Sequence, residues 1–165
     1  MGFLSKLFFN PSVYRYKLIA IDGGDIDLSK YKGRKILFVN TASACGLTPQ
    51  FEELEEFYRK YKNKVVVVGL PCNDFGGQEP LTEKEICLFA VNKFDVTFPL
   101  TTKINIKTTP VFPLYEFLTK KALNGYMDSN VSWNFQKYLC DEKGHLIHCF
   151  EPDVSVFSDE VLAII

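Results

Sequence analysis

Two short, uninterrupted apolar runs constrain this chain more than anything else in it: Lys35-Ile-Leu-Phe-Val-Asn40 and Lys64-Val-Val-Val-Val-Gly-Leu70. Neither alternates polar with apolar residues, so each reads as a strand buried on both faces. The second is β-branched and too short for a helix core. Between them Phe51, Leu54, Phe57, Tyr58 and Tyr61 recur at helical spacing, with Thr48 as a good N-cap and Pro49 suited to the first helical position. Strand, helix, strand in one sheet is a crossover, and a crossover gives parallel strands.

The rest of the chain fits around that unit. Tyr14 to Ile21 reads as a strand that turns at Asp22-Gly23-Gly24. Pro71 to Pro80 is a loop, and Thr82-Glu-Lys-Glu85 is a capping box that opens a helix with Ile86, Phe89, Ala90 and Phe94 on its inner face. Pro113 starts a helix to about Lys121. Asn134 to Cys140 and His145 to Phe150 flank Asp141-Glu-Lys-Gly144, a β-hairpin with glycine near the turn, and a last helix begins near Ser158. This order predicts an α/β sandwich with a central mixed sheet flanked by helices, the thioredoxin-like arrangement.

At 165 residues and 47% apolar content, the chain suits one compact domain, residues 13–165, behind a short extension of residues 1–12. The extension is apolar but interrupted by Lys6 and stopped by Asn10-Pro11. It reads as a packed or frayed terminus, not a signal peptide, and no later run approaches a membrane span. No stable membrane insertion is expected, and a reducing cytoplasm is the expected setting. A formal charge of -1 gives no reason to expect nucleic acid.

Five cysteines, Cys45, Cys72, Cys87, Cys140 and Cys149, do not read as a disulfide framework, since the chain has ample core to fold unaided and an odd count leaves at least one thiol unpaired. There is no C-x-x-C, and only His145 and His148 could complete a metal set, so neither metal nor cofactor is expected. Cys45 stands apart by position, between a buried strand and the first turn of a helix. Unpaired N–H groups and the helix dipole stabilise negative charge there, and the thiolate is the nucleophilic form of cysteine.

The residues around Cys45 add a resemblance. Val39-Asn-Thr-Ala-Ser-Ala-Cys-Gly-Leu-Thr-Pro-Gln50 resembles the segment around the active cysteine of glutathione peroxidases. Leu70-Pro-Cys-Asn-Asp-Phe-Gly-Gly-Gln-Glu-Pro80 and Trp133-Asn-Phe-Gln-Lys-Tyr-Leu139 resemble two further blocks of that family, in the same order. The similarity runs from about Tyr16 to Pro152. It implies a tetrad of Cys45, Gln78, Trp133 and Asn134 that reduces hydrogen peroxide and organic or lipid hydroperoxides. Cysteine stands where the family often has selenocysteine, which implies slower turnover of the same kind. Physically, neutral donors such as the two amides and the indole N–H can stabilise the thiolate and the departing oxygen, and the product is a sulfenic acid.

The resemblance also implies a second, resolving cysteine in many members, at the position of Val91. Here Cys87 lies one helical turn earlier on much the same face, so either Cys87 resolves or an external thiol reduces Cys45 directly. A Cys45–Cys87 disulfide would require that helix to rearrange or partly unwind. Cys72 matches a family cysteine without an assigned redox role, and Cys140 and Cys149 read as core or surface thiols. Asp74 stands where the family usually has Gln, which would raise the Cys45 pKa by like-charge repulsion. Lys103-Ile-Asn-Ile-Lys107 departs from the family block without an evident link to the chemistry. The long insertion of large tetrameric members is missing, which implies a compact monomer with an open site and thioredoxin or glutathione as reductant. Two rivals remain at this point. One is a peroxide sensor that relays oxidation to a partner; the other is a disulfide oxidoreductase, which the missing C-x-x-C argues against.

Overall fold

The structure, a computed structural model, describes residues 9–165. The expectation of a packed or frayed extension falls partly on residues 1–8, which lie outside the described residues. Residues 9–12 lie against the far hairpin, where Ser12 Oγ donates to the Lys143 carbonyl (3.0 Å) and Asn10 Oδ1 meets His145 Nε2 (2.9 Å).

A 3₁₀ turn, Val13–Arg15, precedes a small antiparallel ladder of Leu18–Ile19 (β1) and Asp25–Ile26 (β2). The strand expected over Tyr14–Ile21 is therefore mostly absent. Ser12 Oγ accepts the Tyr14 N–H and caps the 3₁₀ turn instead, and the Asp22-Gly23-Gly24 turn closes the ladder after two residues per strand.

The central sheet contains Lys35–Thr41 (β3), Val65–Pro71 (β4), Lys137–Cys140 (β5) and Leu146–Phe150 (β6), in the order β4-β3-β5-β6. The two apolar runs pair in parallel from Lys35 opposite Val65 to Thr41 opposite Pro71, while β3–β5 and β5–β6 are antiparallel. Helices are Gln50–Tyr61 (α1), Glu83–Phe94 (α2), Pro113–Thr119 (α3), Lys121–Asn124 (α4) and Asp159–Leu162 (α5). Mixed sheet and flanking helices make the thioredoxin-like fold expected from the order of elements.

The apolar runs do not alternate because both sheet faces are covered. Ile36, Phe38, Val66, Val68 and Tyr138 pack with Leu114, Tyr115, Phe117 and Leu118 around α3. On the other face Leu37, Val39, Val65, Val67 and Leu139 pack with Phe51, Leu54 and Phe57 of α1 and Ala90 of α2. Each Val, Leu, Ile or Phe among them contributes about 1.5–3 kcal/mol of burial, before the entropy of ordering it is counted.

Local signals were obeyed unevenly. The capping box forms: Thr82 Oγ1 accepts the Glu85 N–H, and Glu85 Oε2 accepts the Thr82 N–H (2.8 Å). The helix from Pro113 stops at Thr119, because Lys120 is extended (ψ 114°) and α4 starts afresh. The strand expected from Asn134 starts only at Lys137, since Phe135 takes a left-handed φ of 67° and residues 133–135 turn. The hairpin turn closes with the Gly144 N–H on the Asp141 carbonyl, at a φ that suits glycine (80°). No helix of the described residues is long and apolar enough to cross a membrane.

Candidate active site

From the end of β3 the chain runs through residues 42–49 into α1. Thr48 does not cap α1, which starts at Gln50 behind Pro49. Its Oγ1 instead accepts the Cys45 N–H (2.9 Å) and donates to the Ala42 carbonyl (2.8 Å), binding the loop to itself. The carbonyls of Cys45, Leu47, Thr48 and Pro49 accept N–H groups three residues on, so tight turns lead from Cys45 into the helix. Cys45 Sγ accepts the Leu47 N–H (3.3 Å), within the turns that precede α1. The residue is only 9% exposed. The sulfur is held by a backbone N–H donor in the turns that lead into α1.

The loop after β4 is tied to this turn at two points. The Ala44 N–H donates to the Gln78 carbonyl (3.0 Å), and Ser43 Oγ donates to Glu79 Oε2 (2.8 Å). Glu79 is fully buried, and burial pushes its carboxyl pKa up despite the Ser43 bond. Asn73 Oδ1 accepts the Glu79 N–H (2.9 Å) and fixes the loop's shape.

The third segment enters through Asn134, which is fully buried. Its Nδ2 donates to Gln78 Oε1 (3.0 Å) and to the Phe75 carbonyl (3.3 Å). Both amide protons of Asn134 are thereby spent within the protein, and the free end of the Gln78 amide is its Nε2 donor pair. Trp133, 38% exposed, packs edge-on to Phe75 (6.2 Å between ring centroids) and over Gly76. Gly76 is required twice: its φ is +68°, and an added Cβ would stand 3.0 Å from Trp133 Cη2.

Gln78, Trp133 and Asn134 thus share one contact network, joined to Cys45 through Ala44 and the Gln78 carbonyl. Asn40 is a member that the sequence reading overlooked. From the buried end of β3 its Nδ2 donates to the Trp133 carbonyl (3.1 Å) and its own carbonyl accepts the Phe135 N–H (2.6 Å). The available signal was a lone polar residue closing an apolar run.

The remaining cysteines separate by environment. Burial, with the nearby Asp74 charge a lesser contribution, pushes the Cys72 thiol up to about 12. Burial also raises Cys140 well above its ordinary value and raises Cys149. Burial holds these three as thiols. Cys87 lies half-buried on the unbroken α2, and all five cysteines are free. Among the described residues no three His, Cys, Asp or Glu side chains gather as a metal ion would need.

Asp74 does not turn toward the Cys45 loop. Its Oδ2 accepts the N–H groups of Ile106 (2.7 Å), Lys107 (2.8 Å) and Thr108 (3.1 Å), and Oδ1 accepts the Thr108 hydroxyl (2.6 Å). The two departures from the family pattern therefore meet in one clamp.

The family model for glutathione peroxidase matches residues 13–119. Glutathione peroxidase 1 of Helianthus annuus is 40% identical over 151 residues, covering 90% of each chain. The chain belongs to the glutathione peroxidase family. It is a thiol-dependent peroxidase of that family. A phospholipid hydroperoxide glutathione peroxidase 1, chloroplastic, of Arabidopsis thaliana is 39% identical over 151 residues; the match covers 90% of this chain and 64% of that protein, so this chain spans just under two thirds of its length. The crystal structure of T. cruzi GPX1 superposes with a TM-score of 0.69 at 32% identity, over 92% of this chain and 91% of that one.

Proposed function

We propose that this glutathione peroxidase reduces hydrogen peroxide and organic or lipid hydroperoxides through the Cys45 thiolate, assisted by Gln78, Trp133 and Asn134. The observation that carries the reading is the Leu47 N–H on Cys45 Sγ, in a loop whose Ala44 is bonded to Gln78. The thiolate attacks one peroxide oxygen as the O–O bond breaks, leaving a sulfenic acid on Cys45 and an alkoxide or hydroxide that takes a proton from water. The Gln78 Nε2 and Trp133 Nε1 donors stabilise that developing charge, and Asn134 acts through Gln78 by holding its Oε1.

A first thiol then condenses with the sulfenic acid and releases water. A second reduces the resulting disulfide. Thioredoxin or glutathione supplies these thiols, either directly or after Cys87 has formed the disulfide with Cys45. The setting proposed for it is a reducing cytoplasm, in which its five cysteines stay free, and its proposed state is a monomer. The deciding experiment is steady-state peroxide consumption with thioredoxin and its reductase, and separately with glutathione, for wild type and Cys45→Ser. Wild type should turn over and the variant should not; more than a few per cent of activity in the variant sinks the assignment of Cys45. Rapid Cys45 oxidation with negligible turnover under either donor would favour a sensor that relays oxidation to a partner.

A further inference from the structure

Lys137 begins β5, three residues beyond Asn134, and has no exposed surface. Among the described residues no carboxylate lies within ion-pair distance of it; Glu53 on α1 and Asp153 beyond β6 face it at longer range. Its Nζ donates instead to two backbone carbonyls, those of Phe135 (2.8 Å) and Pro152 (2.9 Å). Burying a lysine with only carbonyl partners is costly, and burial lowers its pKa to about 8. The positions of those carbonyls give the cost a purpose.

Phe135 follows Trp133 and Asn134 in the left-handed turn that presents both. The Pro152 carbonyl also accepts Gln50 Nε2 (2.8 Å), and Gln50 is the first residue of α1, where the turns from Cys45 end. One ammonium therefore meets both halves of the site: the Trp-Asn turn directly, and the Cys45 side through a carbonyl shared with Gln50. We propose that Lys137 is a positioning residue of the peroxidase reaction, its buried ammonium setting the Trp133–Asn134 turn against the Cys45 loop. It acts only through other groups, since its bonds go to backbone carbonyls.

The inference rests on the function proposed above, and one experiment tests the two separately. Trp133 is the only tryptophan, so its emission after one equivalent of hydrogen peroxide follows the oxidation of Cys45 in a stopped-flow instrument. Lys137→Met keeps most of the side-chain volume and removes the donors. Oxidation should slow by about tenfold, since ångström-scale misplacement of reacting groups is worth one to two powers of ten. Reduction of the oxidised protein by dithiothreitol should stay within about twofold, and Lys137→Arg should recover part of the oxidation rate. Leu114→Ala, a cavity on the opposite sheet face, measures how far stability loss alone slows the reaction.

Equal slowing of oxidation and reduction would overturn the inference, as would a Met variant no slower than Leu114→Ala or an Arg variant no faster than Met. Should the Met variant fail to fold, Gln50→Leu carries the test. It breaks the Cys45-side link alone and should slow oxidation by about threefold with reduction unchanged; unchanged oxidation would refute the shared anchor. A wild type whose Cys45 stays reduced under peroxide would instead overturn the proposed function, and the inference with it.

Discussion

Replacing Asp74 with asparagine keeps the shape of the side chain and removes its charge, and the consequences follow from one carboxylate's surroundings. Partial burial pushes the Asp74 pKa up, but the Thr108 hydroxyl and the N–H groups of Lys107, Ile106 and Thr108 outweigh it and bring it down to about 2 from 3.8. At ~1.4 kcal/mol per pH unit, that depression is worth at most about 2 kcal/mol of native stability. The carboxylate is partly solvated, so we expect about 1–2 kcal/mol, or a melting temperature lower by about 2–8 °C in a chain of this length. A depressed carboxylate pKa stabilises the fold fully above its ordinary value of 3.8, and that contribution is lost as pH falls through about 2.

The Asn variant should therefore lie about 1–2 kcal/mol below wild type at pH 7, with roughly half of that gap closed by pH 3. Urea melts at a series of pH values read both numbers directly. The same melts report on the site, because Lys107 Nζ sits 4.5 Å over the Phe75 ring and Phe75 packs against Trp133. Loosening residues 106–108 should shift native Trp133 emission before global unfolding. A gap of the same size at pH 3 and pH 7 would refute the charge-based account, and a gap below about 0.5 kcal/mol at pH 7 would show that water replaces the clamp without loss.

Cys87→Ser should block thioredoxin-dependent turnover while sparing the first stoichiometric oxidation of Cys45; unchanged turnover would make Cys87 structural. Gly76→Ala should cost about 1–2 kcal/mol through its left-handed φ, and should slow peroxide reduction as the new methyl displaces the Trp133 ring. Thermal melts and peroxide kinetics on the same preparation check both halves, and a stable, fully active alanine variant would show that neither constraint holds.

What could be read from the chain was whatever depends on near neighbours. The runs over 35–40 and 64–70 announced a doubly covered sheet because burial on both faces removes alternation. Thr82 and Glu85 announced a helix start because a capping box closes within four residues. Thr48 misled for the opposite reason. Thr-Pro before a helical pattern is a good cap signature, but the same hydroxyl could reach the Ala42 carbonyl and the Cys45 N–H once the loop folded back. No pattern in the sequence ranks those partners.

The residues that escaped notice share a position and a chemistry. Asn40 is the last residue but one of β3 and Lys137 opens the neighbouring β5, and polar residues near strand ends ordinarily point to water. Both are fully buried here, because the segment 133–136 folds over the sheet end and leaves backbone carbonyls that β pairing cannot serve. A buried carbonyl without a donor costs more than a single hydrogen bond returns, so the sheet supplies donors where its ladder stops. The carbonyls of Trp133 and Phe135 rest on those donors, so the proposed tetrad is no more rigid than the two strand ends beneath it. Separate stopped-flow measurements on Asn40→Leu and Lys137→Met would show whether either strand end alone holds the turn.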